Sequence, residues 1–561
     1  MRLPLRYYYG EEQKQRKRVI WGSAGLGILL LGVLFIWARW PHSGEFLSGR
    51  LGDGQQSINI GKLKIGTIRW WPCSGTDNAS MECGYIVVPL DYQNSTAGVA
   101  KIALSRHKAK KSPNKGTILY NPGGPGGSGK RAIIQYGSPL QAAIAEDYDW
   151  VGFDPRGIGE TEPQVHCFPD GGYRAFQSHT VLDQGYDIPP NLNDPQTRKA
   201  LILQQHQADA LFKAQFELCK KNMRETLRYM GTTSVVRDID FITTTLDGKD
   251  ALINYYGVSY GSLIGSYLVN MFPDRIGRVV LDGIVNPILW STNAKGENIE
   301  NIEQRIQNFL DTLYNEPIPT AEATPPGILT SGRALIRIYL GLQHPLTWKE
   351  LANALHTAIQ EKNATLLMNL GKGPTAAKKE GPSDDLQRSA VSCNDNAPFD
   401  PPTAAEVVDE NLDVVKHVSR FAFSIMATEQ DTGCQFWPVT PPERFEGPWN
   451  HKLRNPILIH SNKLDPITPI ASGRLINTLL QGSSVLVARE GPGHCSFSVP
   501  SLSSVKISQQ YFKDGTLPSA GQECPIDISL FTNTLTRSLS REDEELMKKV
   551  NTISLYFNHI L

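Results

Sequence analysis

Three residues far apart in the chain have the chemistry of acyl transfer: a serine, an aspartate and a histidine. The serine is Ser259, in Gly257-Val258-Ser259-Tyr260-Gly261. G-x-S-x-G arises by chance in a chain with 49 glycines, so its surroundings decide its meaning. An apolar run at 251–256 precedes it, and a second at 263–272 follows it. Strand, tight turn and helix in that order lift a serine hydroxyl out of a sheet and aim a helix N-terminus at the reacting centre. Serine is a weak nucleophile near neutral pH and needs a base, which in turn needs an acid to orient it. Asp465 stands directly after the strand-like 457–460, in Leu-Asp-Pro-Ile-Thr-Pro, and His494 shortly after 485–488, in Gly-Pro-Gly-His. An acid and then a histidine, after successive late strands, is the order such a serine turn requires. The expected roles are Ser259 as nucleophile, His494 as proton carrier and Asp465 as the group that fixes the imidazole tautomer.

The tetrahedral intermediate also requires preorganised hydrogen-bond donors. The backbone N–H of Tyr260, at the start of the helix, is one expected donor. The second is expected from the glycine loop Asn121-Pro-Gly-Gly-Pro-Gly-Gly-Ser-Gly129, at Gly124 or a neighbour. Glycines there permit close backbone approach and positive φ. The loop lacks the Lys-Ser/Thr ending of a phosphate cradle and the spacing of a dinucleotide fingerprint. There is no CxxC pair to hold zinc, and no cofactor or metal is expected.

Strands and helices alternate around these residues. Strand-like runs at 85–88, 100–104, 116–120 and 149–153 lead into 251–256, 278–282, 456–460 and 484–488, with helical spacing between several of them. Alternation of this kind predicts an α/β fold, a mostly parallel sheet with helices on both faces. The expected organisation is a first part of the core over 66–289, a helical lid over 290–440, a second part of the core over 441–530 and a C-terminal tail over 531–561. The lid is read from sparse strand signals and helical apolar spacing at 300–314, 331–342 and 347–361.

The chain has 561 residues, with 56 Lys plus Arg against 56 Asp plus Glu. Balanced charge offers no basis for nucleic-acid binding. Residues 19–38 carry no charge and are long enough to span a bilayer. Trp21, Trp37 and Trp40 flank this stretch, with Lys14, Arg16, Lys17 and Arg18 before it and Arg39 after it. The charge bias predicts a cytoplasmic tail at 1–18, a signal anchor at 19–38 and a stalk at 39–65. The remainder would be extracellular or lumenal, a single-pass type II arrangement. A cleaved signal peptide is the alternative, but the flank Trp-Ala-Arg-Trp-Pro offers no good cleavage site. Asn78, Asn94 and Asn363 open glycosylation triplets consistent with that placement. Eight cysteines in an oxidising compartment suggest four disulfides, and pairing of sequence neighbours is the simplest of many connectivities.

Taken together, Asn-Pro-Gly-Gly-Pro-Gly-Gly-Ser-Gly, Asp-Pro-Arg-Gly-Ile-Gly-Glu-Thr, the serine turn, Leu-Asp-Pro-Ile-Thr-Pro and Gly-Pro-Gly-His resemble the tripeptidyl-aminopeptidase and prolyl-iminopeptidase branch of the α/β-hydrolases. The likeness runs over about 70–525. It implies an α/β-hydrolase fold with a helical lid, and peptidases that act on substrates with a free N-terminus. Pro122 stands where prolyl iminopeptidases carry a histidine, which favours the tripeptidyl branch. Asp154, Arg156, Gly157 and Gly159 match an element read as structural, shaping a loop beside the site. Acidic lid residues would recognise the substrate amine; Asp395 and Glu410 are among those available, and neither is singled out. Cys393 and Cys434 resemble lid-region cysteines of the family, and Cys495 is read as a disulfide partner. An esterase of the same fold and a non-catalytic hydrolase-like ectodomain are the alternatives, although a non-catalytic relative would usually lack part of the triad.

Overall fold

Ten strands, β1 (Ile68–Pro72), β2 (Met81–Pro89), β3 (Val99–His107), β4 (Thr117–Asn121), β5 (Asp149–Phe153), β6 (Ile253–Val258), β7 (Ile276–Asp282), β8 (Ile457–Leu464), β9 (Ser484–Pro492) and β10 (Glu523–Pro525), make one sheet. Their order is β1-β2-β3-β5-β4-β6-β7-β8-β9-β10. β1, β2, β3 and β5 pair antiparallel. From β5 through β4 to β10 every pairing is parallel. The computed structural model describes residues 64–73, 80–169, 172–292, 303–370, 384–397, 401–417, 433–532 and 534–560. The segment 19–38, the tail before it, nearly all of 39–65 and Asn78 lie outside the described residues. Among the described residues no helix is long and apolar enough to cross a membrane.

The central strands read as near-continuous apolar runs because both faces of the sheet are covered. Alternation then sorts side chains between two cores. Leu119 and Tyr255 go to one face, with Ile239 and Leu263 from the helices Thr232–Asp247 and Tyr260–Met271. Ile118, Tyr120 and Tyr256 go to the other, with Ile133 of the helix Gly129–Ile144 and Phe512 of the helix Leu502–Asp514. The expected tail does not stay loose. Within it, Arg541–Ile560 is a helix that buries Leu546, Met547, Val550, Ile553 and Phe557 in this second core.

The lid departs from its expected bounds. Within 290–440 the structure has the helices Glu303–Asn315, Ser331–Leu342, Trp348–Gln360, Asp384–Asp395 and Ala404–His417, with a short hairpin of Ile318–Thr320 and Gly327–Leu329. A helix outside that span joins them. Pro195–Met223 has 29 residues, and its Leu201, Ala208, Phe212 and Phe216 pack with Leu386, Ala390, Val408 and Leu412. The helical layer is therefore assembled from two stretches of chain. Disulfides Cys167–Cys219 and Cys393–Cys434 lie in this cluster, while Cys73–Cys83 joins β2 to the segment just after β1.

The Asp-Pro-Arg-Gly stretch after β5 braces the sheet edge. Arg156 is 2% exposed and Asp238 1% exposed, and they form two parallel bonds of 2.8 Å. The same guanidinium donates to the carbonyls of Pro89 and Leu90, and Tyr92 Oη donates to Asp238 at 2.9 Å. Removing one partner strands the other charge in the interior. Arg156→Ala should cost about 3–5 kcal/mol of folding stability, measured as a lower urea midpoint at unchanged m-value.

Candidate active site

Ser259 is the residue between β6 and the helix Tyr260–Met271, and it has φ +56°. A non-glycine residue held there is strained, and the surroundings must enforce it. Part of that enforcement is visible: the Ser259 N–H donates to the Asp282 carbonyl at 2.8 Å. A Cβ added to Gly257 would lie 2.2 Å from the Gly261 carbonyl oxygen. Nothing larger than glycine fits two residues before the serine, because the turn folds back on itself.

β8 and β9 bring the other two groups to the same edge of the sheet. His494 Nε2 lies 2.8 Å from Ser259 Oγ. On the other side of the ring, Nδ1 lies 3.0 Å and 3.2 Å from the two Asp465 oxygens. Ser259 and Asp465 are each 6% exposed and His494 3%. The carboxylate is heavily bonded: it accepts from the N–H groups of Ile467 (2.9 Å), Thr468 (2.8 Å) and Cys495 (2.9 Å), and from Thr468 Oγ1 (2.7 Å). Burial pushes this carboxyl up. The facing His494 and the amides of Cys495 and Thr468 outweigh burial and hold it below the ordinary range. With Nδ1 facing a carboxylate, Nε2 is the ring nitrogen that faces the serine hydroxyl.

The glycine loop after β4 abuts this centre. A Cβ on Gly123 would meet Ser259 Cβ at 2.8 Å and the Tyr260 nitrogen at 3.3 Å. The Gly123 N–H is taken by Asn121 Oδ1 at 2.9 Å. Asp154 supports the loop's far end, accepting from Ser128 Oγ (2.6 Å) and from the N–H of Lys130 (3.0 Å).

The lid meets the site from two sides. The His494 N–H donates to the Gln343 carbonyl at 3.2 Å, and Pro345 packs against Gly493. On the other side, Asp395 accepts from the Thr232 N–H at 2.7 Å and from Trp290 Nε1 at 3.0 Å. Thr232 Oγ1 is in turn 2.7 Å from Tyr260 Oη, and Trp290 lies against the Tyr260 ring. Glu410, the other lid acid considered, is exposed on the helix Ala404–His417. Sequence reading passed over Thr468, Gln343 and Thr232. Only Thr468 left a local trace, three residues after the aspartate, where a hydroxyl commonly braces a turn.

The expected fourth disulfide is not formed. Cys495 and Cys524 are both free and buried. The Cys495 thiol sits against Gly283 and 3.4 Å from His494 Nε2 instead of bonding to Cys524 of β10. Burial, together with the carboxylates of Asp282 and Asp465, pushes this thiol well up. It therefore stays protonated and is no rival to the serine. Denatured without reductant, the protein should release two titratable thiols per chain to a disulfide exchange reagent. A count of zero would mean that the fourth bridge exists.

Comparison with known proteins agrees with this geometry. Residues 116–378 match the family model described as alpha/beta hydrolase fold, and 419–524 match the one described as TAP-like protein. The tripeptidyl aminopeptidase of Streptomyces lividans is 33% identical over 463 residues, 76% of this chain and 81% of that one. The chain belongs to the TAP-like α/β-hydrolases. Other members are more distant. Serine protease Hip1 of Mycobacterium tuberculosis is 25% identical over 534 residues, covering 88% of this chain and 98% of its own. Carboxylesterase B of the same species is 24% identical over 513 residues, covering 86% and 92%. This TAP-like α/β-hydrolase is a serine hydrolase.

Proposed function

We propose that the protein is a serine exopeptidase that cleaves near the free N-terminus of peptides through an acyl-enzyme. Ser259 attacks the scissile carbonyl, and His494 takes its proton and returns it to the leaving amine. Asp465 holds the imidazole and offsets its charge. The amides of Tyr260 and Gly124 receive the developing oxyanion. The observation that carries the chemistry is the unbroken relay from Asp465 through Nδ1 and Nε2 to Ser259 Oγ, with contacts of 3.0 Å and 2.8 Å. The likeness to the Streptomyces tripeptidyl aminopeptidase supports the choice of peptide substrate.

Mass spectrometry of products from matched free and N-acetylated peptides tests the reading. Short N-terminal fragments should appear from free peptides, and acetylation should abolish them. Cleavage of both sets at internal sites would replace the exopeptidase with an endopeptidase. An esterase reading has one observation in its favour, the likeness to carboxylesterase B. Turnover of short acyl esters without turnover of aminoacyl- or tripeptidyl-coumarin amides would establish it.

The proposed setting is a membrane-anchored ectodomain, held by 19–38 and facing the outside or a lumen. Asn94 and Asn363 both lie in exposed turns, where their side-chain oxygens accept from the N–H groups of Thr96 and Thr365. Both positions are open to a glycan, and a mass shift on endoglycosidase treatment would show it.

A further inference from the structure

Asp282, the last residue of β7, touches both halves of the catalytic centre without belonging to the triad. Its backbone carbonyl accepts from the Ser259 N–H at 2.8 Å, on the strained serine turn. Its carboxylate accepts from the Ser496 N–H at 2.8 Å and from Ser496 Oγ at 2.5 Å. Ser496 lies two residues beyond His494. Between them Cys495 has φ +63°, a second non-glycine residue in the left-handed region. That conformation persists only where the surroundings over-determine it. Here the anchors are two carboxylates on successive amides: Asp465 holds the Cys495 N–H, and Asp282 holds the Ser496 N–H.

The carboxylate is fully buried and, among the described residues, makes no direct ion pair with a cation. Titratable groups from several elements face it, and buried His460 of β8 pairs with it in register. Tyr120 comes from β4, Tyr256 from β6 and Arg489 from β9, while His494 and Cys495 come from the histidine loop. Arg489 is itself buried and is spent on neutral acceptors: Asn462 Oδ1 at 2.7 Å, Ser498 Oγ at 2.9 Å and the Val499 and Cys495 carbonyls. A buried anion without a direct cationic partner is costly at such a site.

We propose that Asp282 is a positioning residue of the hydrolase, clamping the histidine loop to the serine turn and supplying a second negative charge that stabilises the His494 imidazolium. This deepens the triad reading and rests on it. Burial raises the Asp282 carboxyl to about 6, against the pull of the Ser496 bonds, Arg489 and His494. Above that pH the charge is present; below it, the carboxyl is neutral and the charge facing His494 is lost. Loss of that charge then adds to the acid side of the activity profile.

The experiment is the second-order rate of labelling of the full chain by a fluorophosphonate, followed from pH 5 to 9 for wild type, Ser259→Ala, Asp282→Asn and Ser496→Ala. Wild type should lose reactivity on the acid side more steeply than one proton allows. Asp282→Asn should label at least about tenfold more slowly at pH 8, with a single-proton acid limb moved to lower pH. Ser496→Ala, which keeps the charge, should slow labelling a few-fold and leave the limb in place. A folded Asp282→Asn that labels at the wild-type rate overturns the proposal. So does one that labels slowly with the wild-type limb, because packing alone explains that result. If Asp282→Asn does not fold, Ser496→Ala decides: slower labelling supports the clamp, and unchanged labelling removes it. Labelling of Ser259→Ala at the wild-type rate would instead sink the triad reading, so the two failures are distinct.

Discussion

Ser259→Ala should lower kcat/KM by at least ~10³-fold and abolish fluorophosphonate labelling. The size follows from what the hydroxyl does. In the proposed reaction its oxygen becomes covalently bound, and that oxygen lies 2.8 Å from His494 Nε2. Without it only the oxyanion donors and substrate positioning remain, and these give a small residual rate over water. Folding should survive, because the hydroxyl is removed without changing the backbone that Asp282 and the glycine turn enforce. Alanine at φ +56° carries the same strain as serine. Thermal midpoints within about 1 kcal/mol equivalent of wild type would confirm that lost activity is lost chemistry. Equal labelling of the two proteins would remove Ser259 from its role.

Much of the site could be read because each part announces itself locally. The run 251–256 before Gly257 and the apolar helix after Ser259 define the turn within about 20 residues of chain. Asp465 and His494 each follow a short β-branched strand, and the structure brings both within hydrogen-bonding distance of their partners. What stayed hidden is tertiary in origin. Pro195–Met223 has the spacing of a helix, but nothing in that spacing says that Phe212 meets Leu412 and not the sheet. The helix Arg541–Ile560 follows 15 residues of turns and short pairings after β10, so chain position suggested a tail although its apolar stripe is buried.

Cysteine parity misled for a related reason. Neighbour pairing holds for Cys73, Cys167 and Cys393 with their next cysteines. It fails where the thiol of Cys495 is committed to the space beneath His494. An even count constrains disulfides only when no cysteine has another structural use. Asp282 belongs with these hidden features. A lone acid at a strand end is unremarkable until the histidine loop, more than 200 residues later, is seen to close on it.

Asp465→Asn should reduce kcat by about 10³–10⁴-fold while leaving substrate binding nearly intact. The carboxylate has two faces and all of its donors are fixed. Ile467 and Thr468 amides converge on Oδ1, while Thr468 Oγ1 and the Cys495 amide converge on Oδ2. An amide group keeps one oxygen and turns an NH2 toward the other set, so two donors must face each other whichever way it is placed. The His494 ring then loses the carboxylate charge and one of the two oxygens facing Nδ1, and can retain its proton on Nε2, the wrong nitrogen for accepting from serine. Stability shifts as well, and its sign can be worked out. The native carboxyl is held below the ordinary range, so its contribution to folding is present above roughly pH 4 and is lost as pH falls through the lowered native value. Asp465→Asn lacks that term. Its thermal midpoint should lie below that of wild type at pH 7, and the gap should narrow on acidification. A gap that widened toward low pH would show that the carboxylate is not held in its charged form, and the role assigned to it would fall.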